Sequence, residues 1–323
     1  MTKQFVQRFF SEHKSTVASV LENDILKVIV LPKRGGKTAS ILYKPKGFEL
    51  LSQPKGEYTL LVPGMDFSKG DASGFDDAFP SIDRETVMVD RKAINYPDHG
   101  EIWTMPMAAA MGDNSILLDG QSGILPYRYQ KEIRLVGDKV CYHYAISNSG
   151  IVSFPCLWAC HGLLRYEPDM RLTYPSGMMY AQNVLSSPEL GEVGELHTLT
   201  GGSYDFSIVP PKESHTMVKY YLQGRCIEGR CGIIYPTQGV ACEMEFEHQN
   251  LPYLGFWLTA GGYRGDYNCA FEPATGYYDS ISKVAESGTA VTLSPGQTLS
   301  FSLSYRLSDL LANELQRFVE DHL

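Results

Sequence analysis

Short runs of alternating apolar and polar residues, separated by turn signals, make up most of the chain. In the stretch TLSFSLSYRL, residues 298–307, apolar residues occupy every second position. This period of two is that of a strand with one buried and one exposed face. The turn signals between the runs include Gly137-Asp138, Asn148-Ser149-Gly150, Glu228-Gly229 and Pro295-Gly296. The pattern predicts an all-β protein built as a large antiparallel β-sandwich.

Helical periodicity is scarce, and one short helix is predicted at the C-terminal end with Ser308 as its N-cap. Its apolar stripe would be formed by Leu311, Leu315, Phe318 and Val319. Residues 183–215, rich in Ser, Gly, Pro and Glu, are predicted to be a long excursion between strands. Because no linker or shift in charge interrupts the pattern, we predict a single domain over residues 1–323.

Composition narrows the range of functions. The chain has 323 residues and a formal net charge of −9, with no Lys/Arg-rich run, so the basic footprint that nucleic-acid binding needs is missing. No apolar run is long enough for a transmembrane helix, and the N-terminus lacks the apolar core of a signal peptide. We therefore expect a cytoplasmic protein that binds neither nucleic acid nor membrane.

The seven cysteines include no CxxC pair. Cys156 and Cys160 are four positions apart, but no second pair with metal-ligand spacing accompanies them. Scattered free thiols in a reducing compartment are therefore expected, with neither a structural metal nor a cofactor.

Four stretches place polar groups in apolar or aromatic surroundings: residues 74–80, 97–103, 155–165 and 269–280. In the last of them, Glu272 follows the apolar trio Cys269-Ala270-Phe271 and precedes Pro273. A carboxylate is costly to hold there unless it is paired or used in chemistry, so Glu272 is either a buried structural acceptor or a functional base.

The other polar candidates also admit two interpretations each. His161 is either a core histidine satisfied by the backbone or a catalytic group, and His99 is either a turn residue or a ligand-binding residue. The tandem Asp76-Asp77 is either an Asx-turn or part of a binding site.

The order of these motifs resembles that of the galactose mutarotase (aldose 1-epimerase) superfamily over nearly the whole chain. Six segments carry the resemblance: LENDILKVIVLPKRGGKTASILYK (21–44), DHGEIW (98–103), YHYAISNSG (142–150), WACHGLL (158–164), CAFEPATG (269–276) and TLSPGQTLSFSLSYRL (292–307). The ordered set His-Gly, His, Glu-Pro and Pro-Gly is more specific than any one of its members.

The resemblance implies a β-supersandwich with a sugar-binding cleft on its concave face and metal-free chemistry. It implies that Glu272 is the general base, that His161 is the general acid, and that His99 holds the sugar near its ring oxygen. The predicted activity is interconversion of the α and β anomers of a neutral sugar by ring opening. Positioned proton transfer of this kind contributes roughly 10²–10⁴-fold to a rate. The expected partner is a small-molecule sugar, and the expected assembly is a monomer or homodimer.

The sequence departs from the family pattern around the first histidine, where Trp103 occupies the place of an arginine found in many mutarotases. These departures are typical of a divergent branch. A tryptophan can stack on the apolar face of a sugar, and carboxylates can accept paired sugar hydroxyls. Asp76, Asp77, Trp103 and Trp257 are therefore expected to line the site, with core packing as the alternative for both tryptophans.

Three other functions stay open at this point. A hexose-phosphate epimerase would need arginines that converge on a phosphate, for which Arg84, Arg165 and Arg264 are available, Arg84 being the candidate for substrate binding. A non-catalytic carbohydrate-binding or sensing protein could use the same fold. A glycoside hydrolase would need Asp76 or Asp77 to face Glu272 across a scissile bond.

Overall fold

A computed structural model of the chain describes residues 17–310. They form 24 strands, in chain order: β1 (Ser19–Glu22), β2 (Leu26–Leu31), β3 (Lys37–Tyr43), β4 (Phe48–Glu49), β5 (Phe75–Ala78), β6 (Glu85–Val89), β7 (Lys92–Tyr96), β8 (Ala108–Gly112), β9 (Ser115–Gln121), β10 (Tyr127–Val136), β11 (Lys139–Asn148), β12 (Phe154–Cys156), β13 (Ala159–Gly162), β14 (Leu164–Arg165), β15 (Arg171–Thr173), β16 (Tyr180–Asn183), β17 (Leu196–Thr198), β18 (Thr216–Leu222), β19 (Arg230–Tyr235), β20 (Val240–Phe246), β21 (Tyr253–Ala260), β22 (Tyr267–Ala274), β23 (Val291–Leu293) and β24 (Thr298–Asp309).

Among residues 17–310, helical structure is limited to short segments. The α-helix α1 (Ile281–Glu286) begins after Ser280, whose side chain accepts a hydrogen bond from the backbone of Lys283. Three single-turn 3₁₀ segments span Phe67–Lys69, Ile102–Thr104 and Lys212–Ser214. No helix among residues 17–310 is long and apolar enough to cross a membrane.

Two large antiparallel sheets make up the sandwich that the alternating pattern predicts. The larger has twelve strands in the order β1-β2-β3-β5-β13-β22-β21-β18-β16-β17, with β4 and β14 attached at its side. The smaller has eight strands in the order β15-β19-β20-β24-β11-β10-β9-β8. Two separate two-stranded sheets, the hairpin β6-β7 and the long-range pair β12-β23, complete the described fold.

The core lies between the two large sheets and is rich in aromatic rings. Phe75 of β5 packs edge-on against Tyr142 of β11 and Tyr305 of β24, with ring centroids 4.9 and 6.0 Å apart. The long strands β10 and β11 alternate between buried and partly exposed residues along their whole length. This alternation is what one buried face of an antiparallel sheet requires, and it confirms the prediction from sequence.

The central strands of the larger sheet depart from alternation because both of their faces are covered. All four residues of β5 and of β13 are buried, as are seven of the eight residues of β22. One face packs on the smaller sheet, and the other lies beneath the loops that carry Phe67 and His99. The polar residues on this second face are the ones that can form a site.

The predicted C-terminal helix is wrong at its start. Ser308 and Asp309 are the last residues of β24, where they pair with Ala241 and Val240, so Ser308 is not an N-cap. The pairing partner available in β20 outweighs the local capping signal. The rest of the predicted helix, residues 311–323, lies outside the described residues. The predicted excursion over residues 183–215 contains the short strand β17 and the 3₁₀ segment Lys212–Ser214 after β16 ends.

Candidate functional site

A cavity of about 420 Å³ lies on the face of the larger sheet that is turned away from the smaller sheet. Its volume is in the range of small-molecule sites. Its polar lining residues come from the strands β13, β18 and β22 and from loops, and its apolar lining is aliphatic and aromatic. The residues that line it are Phe67, Ala72, Ile82, Asp83, His99, His161, Leu163, Val184, Leu185, Met217, Lys219, Trp257, Tyr263, Asn268, Glu272 and Asp279.

His161 and Glu272 meet because their strands are neighbours. Ala159 of β13 pairs with Ala274 of β22, and two residues further along each antiparallel strand place His161 opposite Glu272. His161 Nε2 lies 3.9 Å from Glu272 Oε1, and both side chains line the cavity. At this separation, the two side chains can act on two oxygen atoms that are bonded to the same carbon of a substrate.

Burial shifts the pKa values of these two groups in opposite directions. Burial raises the pKa of Glu272 above its ordinary value, although the charge of Lys219 acts against that rise. Burial lowers the pKa of His161 well below its ordinary value, and the neighbouring His99 and Lys219 act in the same direction. Within residues 17–310, the Glu272 oxygens and His161 Nδ1 are buried without a hydrogen-bond partner. Lys219 Nζ nevertheless lies 3.3 Å from Glu272 Oε2, at ion-pair distance.

His99 is held by a turn that the sequence favours. Its backbone is left-handed (φ 56°), and Gly100 follows with φ 71° where a Cβ would lie 2.0 Å from the Phe79 oxygen. The imidazole stacks on Phe67 with centroids 4.0 Å apart, and Asp98 Oδ1 lies 2.8 Å from its Nδ1. The centroids of His99 and His161 are 4.7 Å apart. The turn therefore brings both predicted histidines to one cavity.

Trp257 forms part of the cavity wall. Its indole Nε1 donates to Asn268 Oδ1 over 3.0 Å, and its ring packs edge-on against Tyr263. Both partners also line the cavity. A fixed, partly exposed indole is suited to stack on the apolar face of a sugar ring.

Asp76 and Asp77 do not line the cavity, which corrects the prediction from sequence. Successive residues of a strand point to opposite faces, so at most one of the pair could face a ligand. Asp77 points between the sheets, where Lys131 Nζ lies 2.9 Å from its Oδ2 and the Tyr144 hydroxyl donates to its Oδ1. A second carboxylate facing Glu272, as a glycoside hydrolase requires, is therefore not supplied by Asp77.

Asp76 lies opposite His161 in the β5–β13 register, but it is engaged by Lys37, whose Nζ is 2.7 Å from its Oδ2. Lys37 also pairs with Asp71 at 2.8 Å, and Arg34 binds the other Asp71 oxygen. Burial raises the pKa of Asp76 to about 6. Lys37 therefore pairs with one oxygen of Asp76, and Asp76 does not line the cavity.

Trp103 and Arg84 also lie outside the cavity lining. Trp103 is buried against Phe67, and its Nε1 donates to the Asp98 backbone oxygen over 3.0 Å. It supports the turn that carries His99, so the packing alternative applies. Arg84 is exposed, and its guanidinium donates to the Gly64 backbone oxygen at a separate surface depression.

Lys219 and Asp279 are site residues that sequence reasoning did not identify. Lys219 Nζ lies 3.3 Å from Glu272 Oε2 and 2.8 Å from Asp279 Oδ2. A lysine within the apolar strand β18, TMVKYYL, is the signal that could have drawn attention to it. Asp279 follows the Pro-Ala-Thr-Gly turn after Glu272, and only the fold brings it back to the cavity.

Metal-binding geometry is not found in the described part of the chain. No group of three or more His, Cys, Asp or Glu side chains within residues 17–310 is arranged to hold a metal ion. All seven cysteines are free thiols, six of them buried.

Comparison with known proteins supports the fold. No family model matches the chain, and no curated protein matches it by sequence. Solved structures do match: Slr1438 of Synechocystis sp. PCC 6803 (17% identity, TM-score 0.69, 92% of this chain and 98% of that chain) and a galactose mutarotase-like protein of Lactobacillus casei (15%, 0.68, 90% and 100%). A GalM/aldose epimerase homologue of C. elegans matches at 11% identity with a TM-score of 0.65, covering 92% and 100%.

These neighbours define the class of fold. The chain has the galactose mutarotase-like β-sandwich fold, at sequence identities low enough for a divergent branch.

Proposed function

We propose that the protein is an aldose 1-epimerase-like isomerase that interconverts the α and β anomers of a neutral sugar. The observation that carries this proposal is the 3.9 Å separation of His161 Nε2 and Glu272 Oε1 at one sugar-sized cavity. Names of fold neighbours point to the same reaction class. Fold likeness alone does not transfer an activity, so the argument rests on the site.

The reaction moves one proton from the anomeric oxygen to the ring oxygen. Glu272 accepts the proton of the anomeric hydroxyl, and the electron pair of that O–H bond forms the carbonyl as the bond from C1 to the ring oxygen breaks. His161 donates its N–H proton to the ring oxygen, and protonated Glu272 returns a proton to the imidazole. Rotation about C1–C2 and reversal of these steps close the ring on the other face.

The lowered pKa of His161 refines its predicted role. Imidazole is neutral in the free cavity, so it acts as a neutral hydrogen-bond donor rather than as a stored imidazolium. Neutral imidazole serves in this way as the electrophile of triosephosphate isomerase. The raised pKa of Glu272 makes its carboxylate a stronger base than an exposed glutamate.

The lining favours a neutral sugar over a sugar phosphate. Within residues 17–310, none of the candidate arginines lines the cavity: Arg165 pairs with Glu167, Arg264 with Asp266, and Arg84 is at the surface. The one lysine in the lining, Lys219, already faces two carboxylates. A phosphate would meet no free guanidinium there.

Polarimetry with freshly dissolved α-glucose or α-galactose tests the proposal. The protein should accelerate the approach to the anomeric equilibrium, and Glu272→Gln should slow the catalysed rate by roughly 10²–10⁴-fold. Glu286→Gln, at an exposed residue of α1, is the matched control and should behave as wild type. A wild-type rate equal to buffer would refute catalysis, and sugar binding by calorimetry without a rate would instead support a carbohydrate-binding protein.

A further inference from the structure

Lys219 occupies an unusual position for a lysine. It sits in the middle of β18, its side chain is only 12% exposed, and it lines the cavity beside Glu272. Its Nζ faces Glu272 Oε2 at 3.3 Å and Asp279 Oδ2 at 2.8 Å. The Tyr221 hydroxyl donates to the other Asp279 oxygen over 2.8 Å, which fixes that carboxylate. The lysine is therefore held at the oxygen of the proposed base.

The groups around Glu272 leave Lys219 as its nearest cation. His161 faces Glu272 from β13, Lys219 from β18, and Asp279 from the loop after β22, while β21 presents Gly255 opposite it. His99 reaches the cavity from its loop with Asp98 beside it, and Asp83 lies at the rim. The carboxylate of Asp279 opposes ionisation of Glu272, and Lys219 favours it.

We propose that Lys219 is a third catalytic residue, which keeps Glu272 ionised in the free protein and stabilises the negative charge on the anomeric oxygen during ring opening. This inference rests on the proposed function. A sugar hydroxyl that donates its proton to Glu272 is within reach of an ammonium 3.3 Å from the same carboxylate. When the proton moves, negative charge leaves Glu272 and develops on the substrate beside Lys219.

An ammonium fixed beside developing charge in a water-poor site is an electrostatic catalyst. Burial lowers the pKa of Lys219, but the carboxylates of Asp279 and Glu272 outweigh burial and raise it above its ordinary value. Lys219 is therefore charged throughout the working pH range and does not act as a proton donor. An ammonium carries three N–H bonds, so it can face both carboxylates and still donate to a sugar oxygen.

The test compares Lys219→Met with Lys219→Arg in the full-length protein. Lys219→Met should lower kcat roughly 10²-fold, as loss of one oxyanion donor does, with a smaller change in KM. It should also move the acid limb of the kcat/KM profile to higher pH, because Glu272 loses its stabilising cation. Lys219→Arg keeps the positive charge. It should therefore have a kcat between those of Lys219→Met and wild type, and the acid limb of its kcat/KM profile should lie close to the wild-type pH.

Lys46→Met is the matched control, since Lys46 is a surface lysine 4.0 Å from Asp309. It should leave kcat and the pH profile at wild-type values. Circular dichroism and thermal melting of Lys219→Met should show a folded protein, and if that variant fails to fold, Lys219→Gln gives the same comparison. A folded variant with wild-type kcat and an unmoved acid limb would overturn the proposal.

A measurement without turnover separates this proposal from the proposed function. The carboxyl ¹³C resonance of Glu272 can be followed against pH in wild type and Lys219→Met. A higher midpoint in the variant supports the coupling even if wild type shows no mutarotation, in which case the proposed reaction fails. An active wild type with identical Glu272 midpoints in both proteins would refute the role of Lys219 and leave the reaction standing.

Discussion

His161 Nε2 lies 3.9 Å from Glu272 Oε1 although the two residues are 111 positions apart in the chain. The pairing of β13 with β22 produces this contact, and the burial of both side chains shifts their pKa values in opposite directions. The pair thus combines a strengthened carboxylate base with an imidazole that is neutral at neutral pH.

The pH profile of kcat/KM should fall only on its acidic side, where Glu272 becomes protonated. Activity needs ionised Glu272, and because burial raises its pKa, the rate should begin to fall on acidification at a higher pH than an exposed glutamate would give. Neutral His161 is already present at neutral pH, since its pKa is lowered. Polarimetric rates should therefore hold from neutral to mildly alkaline pH. A rate that rises on acidification through neutral pH would instead identify the imidazolium of His161 as the acid.

The two tryptophans should respond differently to substitution. Trp257→Ala removes a wall of the cavity and should raise KM for the sugar roughly tenfold, equivalent to about 1.4 kcal/mol. Trp103→Phe removes the hydrogen bond to the Asp98 backbone and part of a buried ring, and it should lower the free energy of unfolding by about 1–3 kcal/mol with little change in KM. Steady-state kinetics and urea unfolding of both variants check this. The reverse pattern would place Trp103, not Trp257, against the sugar.

The Asp77–Lys131 ion pair should be structural. Both side chains are fully buried, so Lys131→Met leaves an uncompensated carboxylate and should lower the free energy of unfolding by about 3–5 kcal/mol. The double variant Asp77→Leu/Lys131→Met removes both charges and should be more stable than the single variant. Urea denaturation at neutral pH measures both.

Arg128→Met is the control for that cycle, because it breaks the exposed Asp119–Arg128 pair between β9 and β10 of the smaller sheet. It should leave the free energy of unfolding almost unchanged, since exposed ion pairs contribute little. Asp77→Leu, measured alone, completes the cycle, and if its effect and that of Lys131→Met simply added in the double variant, the pair would not be coupled.

A neutral sugar should be a better substrate than its 6-phosphate. The cavity lining holds Asp83, Glu272 and Asp279 against one lysine, so added negative charge is disfavoured. The ratio of kcat/KM values for glucose and glucose 6-phosphate measures this preference, and Arg84→Ala should leave both values unchanged. A higher kcat/KM for the phosphate that falls in Arg84→Ala would favour the hexose-phosphate alternative.

Local pattern was sufficient for the class of fold. Alternation in segments such as residues 298–307 predicts half-buried strands, and the structure has β24 there. The local pattern gave a wrong prediction at Ser308, where pairing with β20 continues the strand past a residue that is favourable as a helix N-cap. The six-residue helix α1 was not predicted, because so short a segment carries little periodicity.

By itself, the sequence determined the alternating strands and the order of the His-Gly, His and Glu-Pro motifs, and the family resemblance of that order pointed to His99, His161 and Glu272. Only the tertiary structure decided which polar residues meet at the cavity. The pairing of the strands places Asp77 between the sheets beside Lys131, and Asp76 beside Lys37. It also places Lys219 next to both Glu272 and Asp279. A side chain's face and its partners depend on pairing between strands distant in the chain, and no local pattern contains that pairing.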